Sequence, residues 1–138
     1  MKSLRTLLKL ARADLENLRR ALADQIAHEA AVVHRILGHE QTIRSEQAFA
    51  QRDYESARAY GGYAAAAIAV RRALDAERAL IAQEIDRLRR HIAEAHVEAR
   101  KFERLIELEE ARAKAARDKS ENAELDEMAT MRSARAKL

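Results

Sequence analysis

The stretch AYGGYAA, residues 59–65, is the first candidate for a turn because it contains the only adjacent glycines of the chain. The 138 residues include just three glycines and no proline, so helix-breaking residues are otherwise rare. Glycine can adopt the left-handed conformation that ends a helix, and it lets the backbone reverse direction. We therefore predict that Gly61 and Gly62 form the turn of a helical hairpin. The alternative is a flexible joint between two helices that each pair with another copy of the chain.

Apolar residues recur at helical spacing on both sides of the double glycine. Before it, the stripe comprises Leu4, Leu8, Ala11, Leu15, Leu18, Leu22, Ile26, Ala30, Val33 and Leu37. After it, the stripe comprises Tyr63, Ala67, Val70, Leu74, Glu77, Ile81, Ile85, Leu88, Ile92, Ala95, Ala99, Phe102 and Ile106. Steps of three and four residues indicate heptads, and two consecutive steps of four at Ile26 and at Ile85 indicate stutters.

These patterns predict an all-α fold in which two long helices form an antiparallel coiled-coil hairpin. The hairpin is expected to be one domain, residues 1–138, with helix 1 at about 3–60, the turn at 61–62 and helix 2 at about 63–135. Helix 2 is the longer one, so residues from about 118 onward should extend beyond helix 1. We expect a monomer when the protein is alone.

Composition supports helices and limits the functions available. Charged residues make up 36% of the chain and aromatic residues 4%, a composition typical of long helices rather than of a thick globular core. The 26 basic and 23 acidic residues are interleaved, which argues against a nucleic-acid-binding stripe. The longest uncharged run, residues 59–70, is too short to span a membrane, and no secretory segment is evident. With no cysteine in the sequence, we expect a soluble cytoplasmic protein.

No catalytic or metal-binding pattern stands out. HEAAVVH, residues 28–34, resembles a zinc-protease signature, but Val32 occupies the place of its second histidine. Histidines six residues apart point to different sides of a helix. We expect neither enzymatic activity nor a metal or cofactor.

Two groups of residues are candidates for binding partners. Four of the aromatic residues cluster around the predicted turn: Phe49, Tyr54, Tyr60 and Tyr63. They form either a small cap that seals the hairpin or an exposed anchor patch. Both termini are basic, so the two ends of the hairpin differ in character.

The segment EARKFERLIELEEARAKAARDKSENAELDEMATMR, residues 98–132, and especially ELDEMATMR, residues 124–132, resembles the flagellar export protein FliJ family. The resemblance implies a small rod, similar to the central stalk subunit of rotary ATPases, at the inner face of the cell membrane. Its terminal end would bind the hexameric flagellar export ATPase, and the tip would bind the membrane export gate. Export chaperones are further partners that the resemblance implies.

On this resemblance the residues expected to bind the ATPase are Leu4, Arg5, Leu8, Leu125, Asp126, Met128 and Arg132. The expected gate-binding residues are the four aromatic residues near the turn, an assignment based on their clustering. The alternatives are a coiled-coil adaptor or scaffold unrelated to flagella, which sedimentation would distinguish if it oligomerised, and a nucleic-acid-binding hairpin.

Overall fold

The computed structural model describes residues 2–137. They form two helices, α1 (Lys2–Ala50) and α2 (Tyr54–Ala136), and contain no strand. The two long helices pack against each other, which confirms the predicted all-α helical hairpin. Neither helix has a stretch, within the described residues, that is long and apolar enough to cross a membrane.

The turn lies at residues 51–53, not at the double glycine. At the end of α1 the Gln51 amide donates to the Gln47 carbonyl at 3.3 Å, and the Arg52 amide donates to the Phe49 carbonyl at 3.1 Å. Asp53 then caps α2, because its carboxylate accepts a 2.8 Å hydrogen bond from the Glu55 amide. Such a cap satisfies an amide that the first helical turn leaves unpaired. The sequence Asp-Tyr-Glu-Ser therefore begins the second helix.

Gly61 and Gly62 lie inside α2, so the predicted turn and the helix bounds derived from it are wrong. No glycine of the described chain has a positive φ. A Cβ atom added to either residue would meet no atom within 4 Å. Helix 1 therefore ends about ten residues earlier than predicted and helix 2 begins about ten residues earlier, because the capping aspartate nucleates α2 and an isolated glycine pair is tolerated within a helix.

The chain divides into two compact units. One consists of Leu15–Glu94, and the other combines the residues up to Asp14 with those from Ala95 onward. Each unit contains a part of α1 and a part of α2.

The core of the Leu15–Glu94 unit is one apolar cluster. It contains Val32, Ile36, Leu74, Ile81 and Ile85, with Leu22 packed against it. Val32 is fully buried, and the other four clustered side chains are nearly so. Burial of such side chains contributes about 1.5–3 kcal/mol each, which makes this cluster the main source of stability in the unit.

The buried stripe of α1 differs from the predicted one beyond Leu22. Val32 and Ile36 are buried, whereas Ile26 and Leu37 are exposed. Half-buried Gln25 and Glu29 continue the alternating steps of three and four from Leu22 to Val32. The heptad therefore continues without the predicted stutter, because two long polar side chains occupy core-flanking positions and cover apolar surface with their stems.

The stripe of α2 agrees with the prediction at nearly every position. Leu74, Ile81, Ile85, Leu88 and Ala99 are buried. Val70 is the exception, since it is about half exposed and the neighbouring Arg71 lies on the packed side instead.

In the other unit, the beginning of α1 packs on α2 with a thin core and two ion pairs. The Arg5 guanidinium lies 3.3 Å from the Glu110 carboxylate, and Arg12 lies 3.2 Å from Glu103. Every described residue from Ala111 onward is exposed. We call residues 111–136 of α2 the tail; its 1.5 Å rise per residue gives it a length of about 39 Å.

Candidate partner-binding surfaces

The aromatic residues near the turn do not form a single patch. Tyr60 and Tyr63 are half-buried, and their ring centroids are 6.0 Å apart at an interplanar angle of 37°. Together with Phe49 they line a pocket of about 150 Å³. Tyr54 is not part of that pocket and is 77% exposed. The two sequence-based interpretations thus apply to different residues: Tyr60 and Tyr63 pack within the hairpin, and Tyr54 is a free side chain.

One face of the Phe49 ring is exposed, and the guanidinium group of Arg52 lies over the ring. The Arg52 guanidinium carbon lies 5.8 Å from the centre of its ring. Such a cation–π contact contributes about 0.5–1 kcal/mol at an exposed site. It also orients the ring at the turn.

A larger apolar groove, which the sequence analysis missed, lies next to the aromatic pocket. Its volume is about 490 Å³. Its lining consists of Ile43, Gln47, Tyr60, Ala64, Ala67, Ile68, Arg71 and Arg72. We call it the alanine groove, because small side chains of α2 form its floor. The uncharged run of residues 59–70 was the available signal, since a helix that is apolar all round cannot bury every face against one neighbour.

Polar contacts fix one edge of the alanine groove. The Nε2 atom of His39 lies 2.9 Å from the Ala67 carbonyl oxygen and joins the two helices there. Arg71 makes a 2.5 Å ion pair with Glu40 and a 3.1 Å ion pair with Asp75. The hydrogen bond to Glu40, supported by Asp75, raises the pKa of Arg71 above its ordinary value.

Arg72, at the same end of the alanine groove, is different. It lines the groove but forms no ion pair with any residue that the structure describes. At this end of the groove the charge of Arg71 is therefore neutralised by carboxylates of the same chain, whereas the charge of Arg72 remains available to a ligand.

The predicted ATPase-binding residues fall into two separate groups. Leu4 and Leu8 are half-buried, and Arg5 is committed to its ion pair with Glu110. Leu8 and Arg5 line a shallow depression of about 470 Å³ together with Ile106. Leu125 follows Glu110 by fifteen residues of helix, or about 22 Å, so the structure does not bring the two groups together.

The tail presents a second predicted group on one helix face. Leu125 is 62% exposed and Met128 is 54% exposed. With Ala129 and Arg132 they line one shallow depression of about 420 Å³. We call Leu125, Met128 and Arg132 the tail face. Asp126, which was predicted with them, does not line it.

Several ionisable side chains form ion pairs at the surface. Glu77 is shared by Arg35 at 3.1 Å and by His28 at 3.4 Å. A hydrogen bond from Arg87 lowers the pKa of Glu84, one helical turn away. Among the described residues no group of three or more histidines and carboxylates could hold a metal ion.

No protein-family model, curated protein or solved structure matches the chain. The fold and its surfaces define the class directly: an all-α helical hairpin whose exposed faces offer apolar anchors and charges.

Proposed function

We propose that the chain is the stalk or adaptor of a flagellar type III protein export apparatus. In this role it links the hexameric export ATPase to the membrane export gate, contacts export chaperones and has no enzymatic activity of its own. It works as a single copy in the cytoplasm, peripherally at the inner face of the cell membrane. The resemblance of residues 98–132 to the FliJ family supports this assignment, and the helical hairpin is the fold that the role requires.

The observation that carries the proposal is the exposed tail. The tail is a helix of about 39 Å that no other part of the described chain covers. Isolated helices are marginal in water, so the tail is expected to gain stability from contact with a binding partner. Exposed Leu125 and Met128 supply apolar anchors at i and i+3, and Arg132 adds a charge on the same face. A helix with these properties suits insertion into a channel lined by other protein, such as the pore of an ATPase ring.

The turn end is the proposed gate-binding surface. Tyr54 and Phe49 are exposed aromatic side chains there, and aromatic residues supply binding energy at a low entropic cost. Because Tyr60 and Tyr63 pack against each other, they support this surface rather than form its contact area.

Removal of one surface at a time tests the proposal. A chain that ends before Ser120 lacks the tail face but keeps both buried cores, so it should lose the ATPase and retain the gate. Tyr54→Ser combined with Phe49→Ser should have the opposite effect. Pull-downs with purified ATPase and purified gate protein, accompanied by circular dichroism of each variant, measure both contacts.

The same experiment distinguishes the alternative. A folded variant that lost both partners at once would contradict a two-ended connector. It would favour an adaptor that binds along its side, for which the alanine groove is the available surface.

A further inference from the structure

We propose that one side of the Leu15–Glu94 unit binds an acidic amphipathic helix of another protein. This side consists of the alanine groove and of an apolar stripe of α1 that α2 does not bury. We call the two together the side face; its stripe comprises Ile26, Ala30, Val33 and Leu37. Every residue of the side face lies within that one unit.

The helix α1 carries two apolar stripes, and α2 buries only one of them. Val32 and Ile36 are buried against α2, whereas Ile26 is exposed and Leu37 is 58% exposed. Val33 is half-buried and shares their face, because Ile26, Val33 and Leu37 stand at i, i+7 and i+11. A single exposed leucine is ordinary. A continuous stripe of exposed apolar side chains instead marks a surface that binds a partner.

An ion pair shows that this stripe and the alanine groove lie on the same side of the unit. Glu40 follows Leu37 by three residues and Val33 by seven, so it belongs to the same side of α1. Its carboxylate pairs with Arg71 at 2.5 Å. Arg71 lines the alanine groove together with Ile68, which is 54% exposed. The side face therefore joins apolar residues of both helices into one surface.

The shape of the side face fits a helix. On α1 it extends from Ile26 to Ile43, a distance of about 26 Å at 1.5 Å per residue. The small side chains of Ala64 and Ala67 let a partner approach the floor of the groove closely. An amphipathic helix binds such a surface through apolar residues at i, i+3 or i+4, and i+7. A small molecule would need a cavity that encloses most of its surface, whereas this groove is open to solvent.

The unpaired charges of the side face are positive. Arg72 lines the groove and forms no ion pair with a described residue. Arg44 follows Leu37 by seven residues on the exposed stripe, and it likewise lacks an ion pair within the part of the chain that the structure describes. The carboxylates that contact Arg71 are already neutralised by it. A partner helix that is complementary to this surface therefore carries carboxylates beside its apolar anchors.

The same charges argue against a second copy of this chain as the occupant. Two side faces that packed against each other would bring Arg44 and Arg72 of both copies together, and like charges at an interface are unfavourable. The side face also contains neither the tail face nor the exposed aromatic residues at the turn. A partner bound there leaves both proposed end contacts free, so the chain can bind it while it acts as a single-copy connector.

Fluorescence anisotropy with two labelled synthetic peptides tests the inference at low salt. Each peptide is an alanine-rich helix of about 18 residues with leucines at i, i+4, i+7 and i+11. One peptide has glutamates beside the leucines, and its matched control has lysines there. The glutamate peptide should bind the full chain saturably, and the lysine peptide should bind at least about tenfold more weakly.

Substitutions in the full chain locate the contact. Ile68→Glu and Leu37→Glu should each weaken binding of the glutamate peptide about tenfold or more, because each replaces an apolar anchor with a charge of the same sign as the peptide. Arg72→Glu should reduce the preference for the glutamate peptide about three- to tenfold. Leu80→Glu is the matched control, because Leu80 is 66% exposed and lies outside the side face; it should leave binding unchanged. Circular dichroism of each variant verifies that the helices are retained.

Several results would overturn the inference. They are an absence of saturable binding of the glutamate peptide up to about 1 mM, equal binding of both peptides, and an equal loss in Leu80→Glu. Self-association of the wild-type chain in sedimentation that Ile68→Glu abolished would assign the side face to a second copy. Peptide binding that appeared only after removal of the residues from Ser120 onward would assign it to the tail of the same chain. No ATPase or gate enters the measurement, so its outcome is independent of the proposed function.

Discussion

Replacement of the double glycine by alanine should stabilise the protein. Gly61 and Gly62 have helical backbone angles without a positive φ, and a Cβ at either position would enter open space. Alanine is favoured over glycine in a helix interior by roughly 0.8–1 kcal/mol per residue. Since neither substitution creates a clash, the double variant should gain about 1.5–2 kcal/mol in free energy of unfolding.

Thermal unfolding followed by circular dichroism measures this gain. For a chain of this size, 1 kcal/mol corresponds to about 3–5 °C in Tm, so the double variant should melt about 5–10 °C higher. Gly38→Ala is the matched control, because Gly38 lies inside α1 and its added Cβ also meets nothing.

The sign of the change in Tm distinguishes a turn at residues 51–53 from a turn at Gly61 and Gly62. If Gly61 and Gly62 formed the turn, one of them would require a left-handed backbone, and alanine there would destabilise by more than about 1 kcal/mol. A lower Tm for the double variant together with a higher Tm for Gly38→Ala would therefore refute the placement of the turn at residues 51–53.

Three further outcomes are expected. Asp53→Ala should lower stability by about 1 kcal/mol because it removes the cap of α2; an unchanged melting curve would contradict the cap. Leu88→Asp should cost several kcal/mol because Leu88 is buried, whereas Arg90→Glu on the exposed face should change stability by less than about 0.5 kcal/mol; equal thermal shifts would mean that the buried stripe is misplaced. Arg87 lowers the pKa of Glu84, so the pair stabilises the folded state above the ordinary value of 4.5, and this contribution is lost as the pH falls through the lowered pKa. Denaturant titrations should therefore show that Glu84→Gln is slightly less stable than the wild-type protein at neutral pH and equally stable in acid. A difference in stability that grew in acid would contradict this sign.

The stripe of α2 could be predicted because its apolar residues follow the heptad almost without interruption. Leu74, Ile81, Ile85 and Leu88 are large and buried, and Glu77 is the one charged residue that interrupts the predicted stripe. In α1 the prediction was wrong beyond Leu22 for a physical reason. The heptad positions after Leu22 are occupied by polar residues, Gln25 and Glu29. The prediction followed apolar side chains instead, and these lie on the adjacent, exposed face of the helix.

The turn was misplaced because two local signals compete. Glycine permits a reversal of the chain but does not require one. Asp53 followed by Glu55 supplies a cap for the helix N-terminus, and the helix dipole also favours a carboxylate in the first turn. In this chain the cap determines where α2 begins, and the two glycines lie within the helix.

The candidate surfaces could be predicted only in part. Exposure of Leu125 and Met128 follows from the greater length of helix 2, which the sequence indicated. The uncharged run of residues 59–70 indicates an apolar surface there, but the residues of α1 that complete the alanine groove could not be predicted, because they depend on the register between α1 and α2, and that register follows from the turn. The packing of Tyr60 on Tyr63 has the same origin.

The most direct test of the proposed function is the affinity of the full chain for the purified hexameric export ATPase, measured by fluorescence anisotropy of labelled chain. Burial of a leucine contributes about 1.5–3 kcal/mol, and tenfold in Kd corresponds to about 1.4 kcal/mol. Leu125→Glu should therefore raise Kd by tenfold or more, while Leu80→Glu, with an equally exposed leucine, should leave Kd unchanged. Absence of wild-type binding, or an equal loss in both variants, would contradict the role of the tail as the ATPase-binding element.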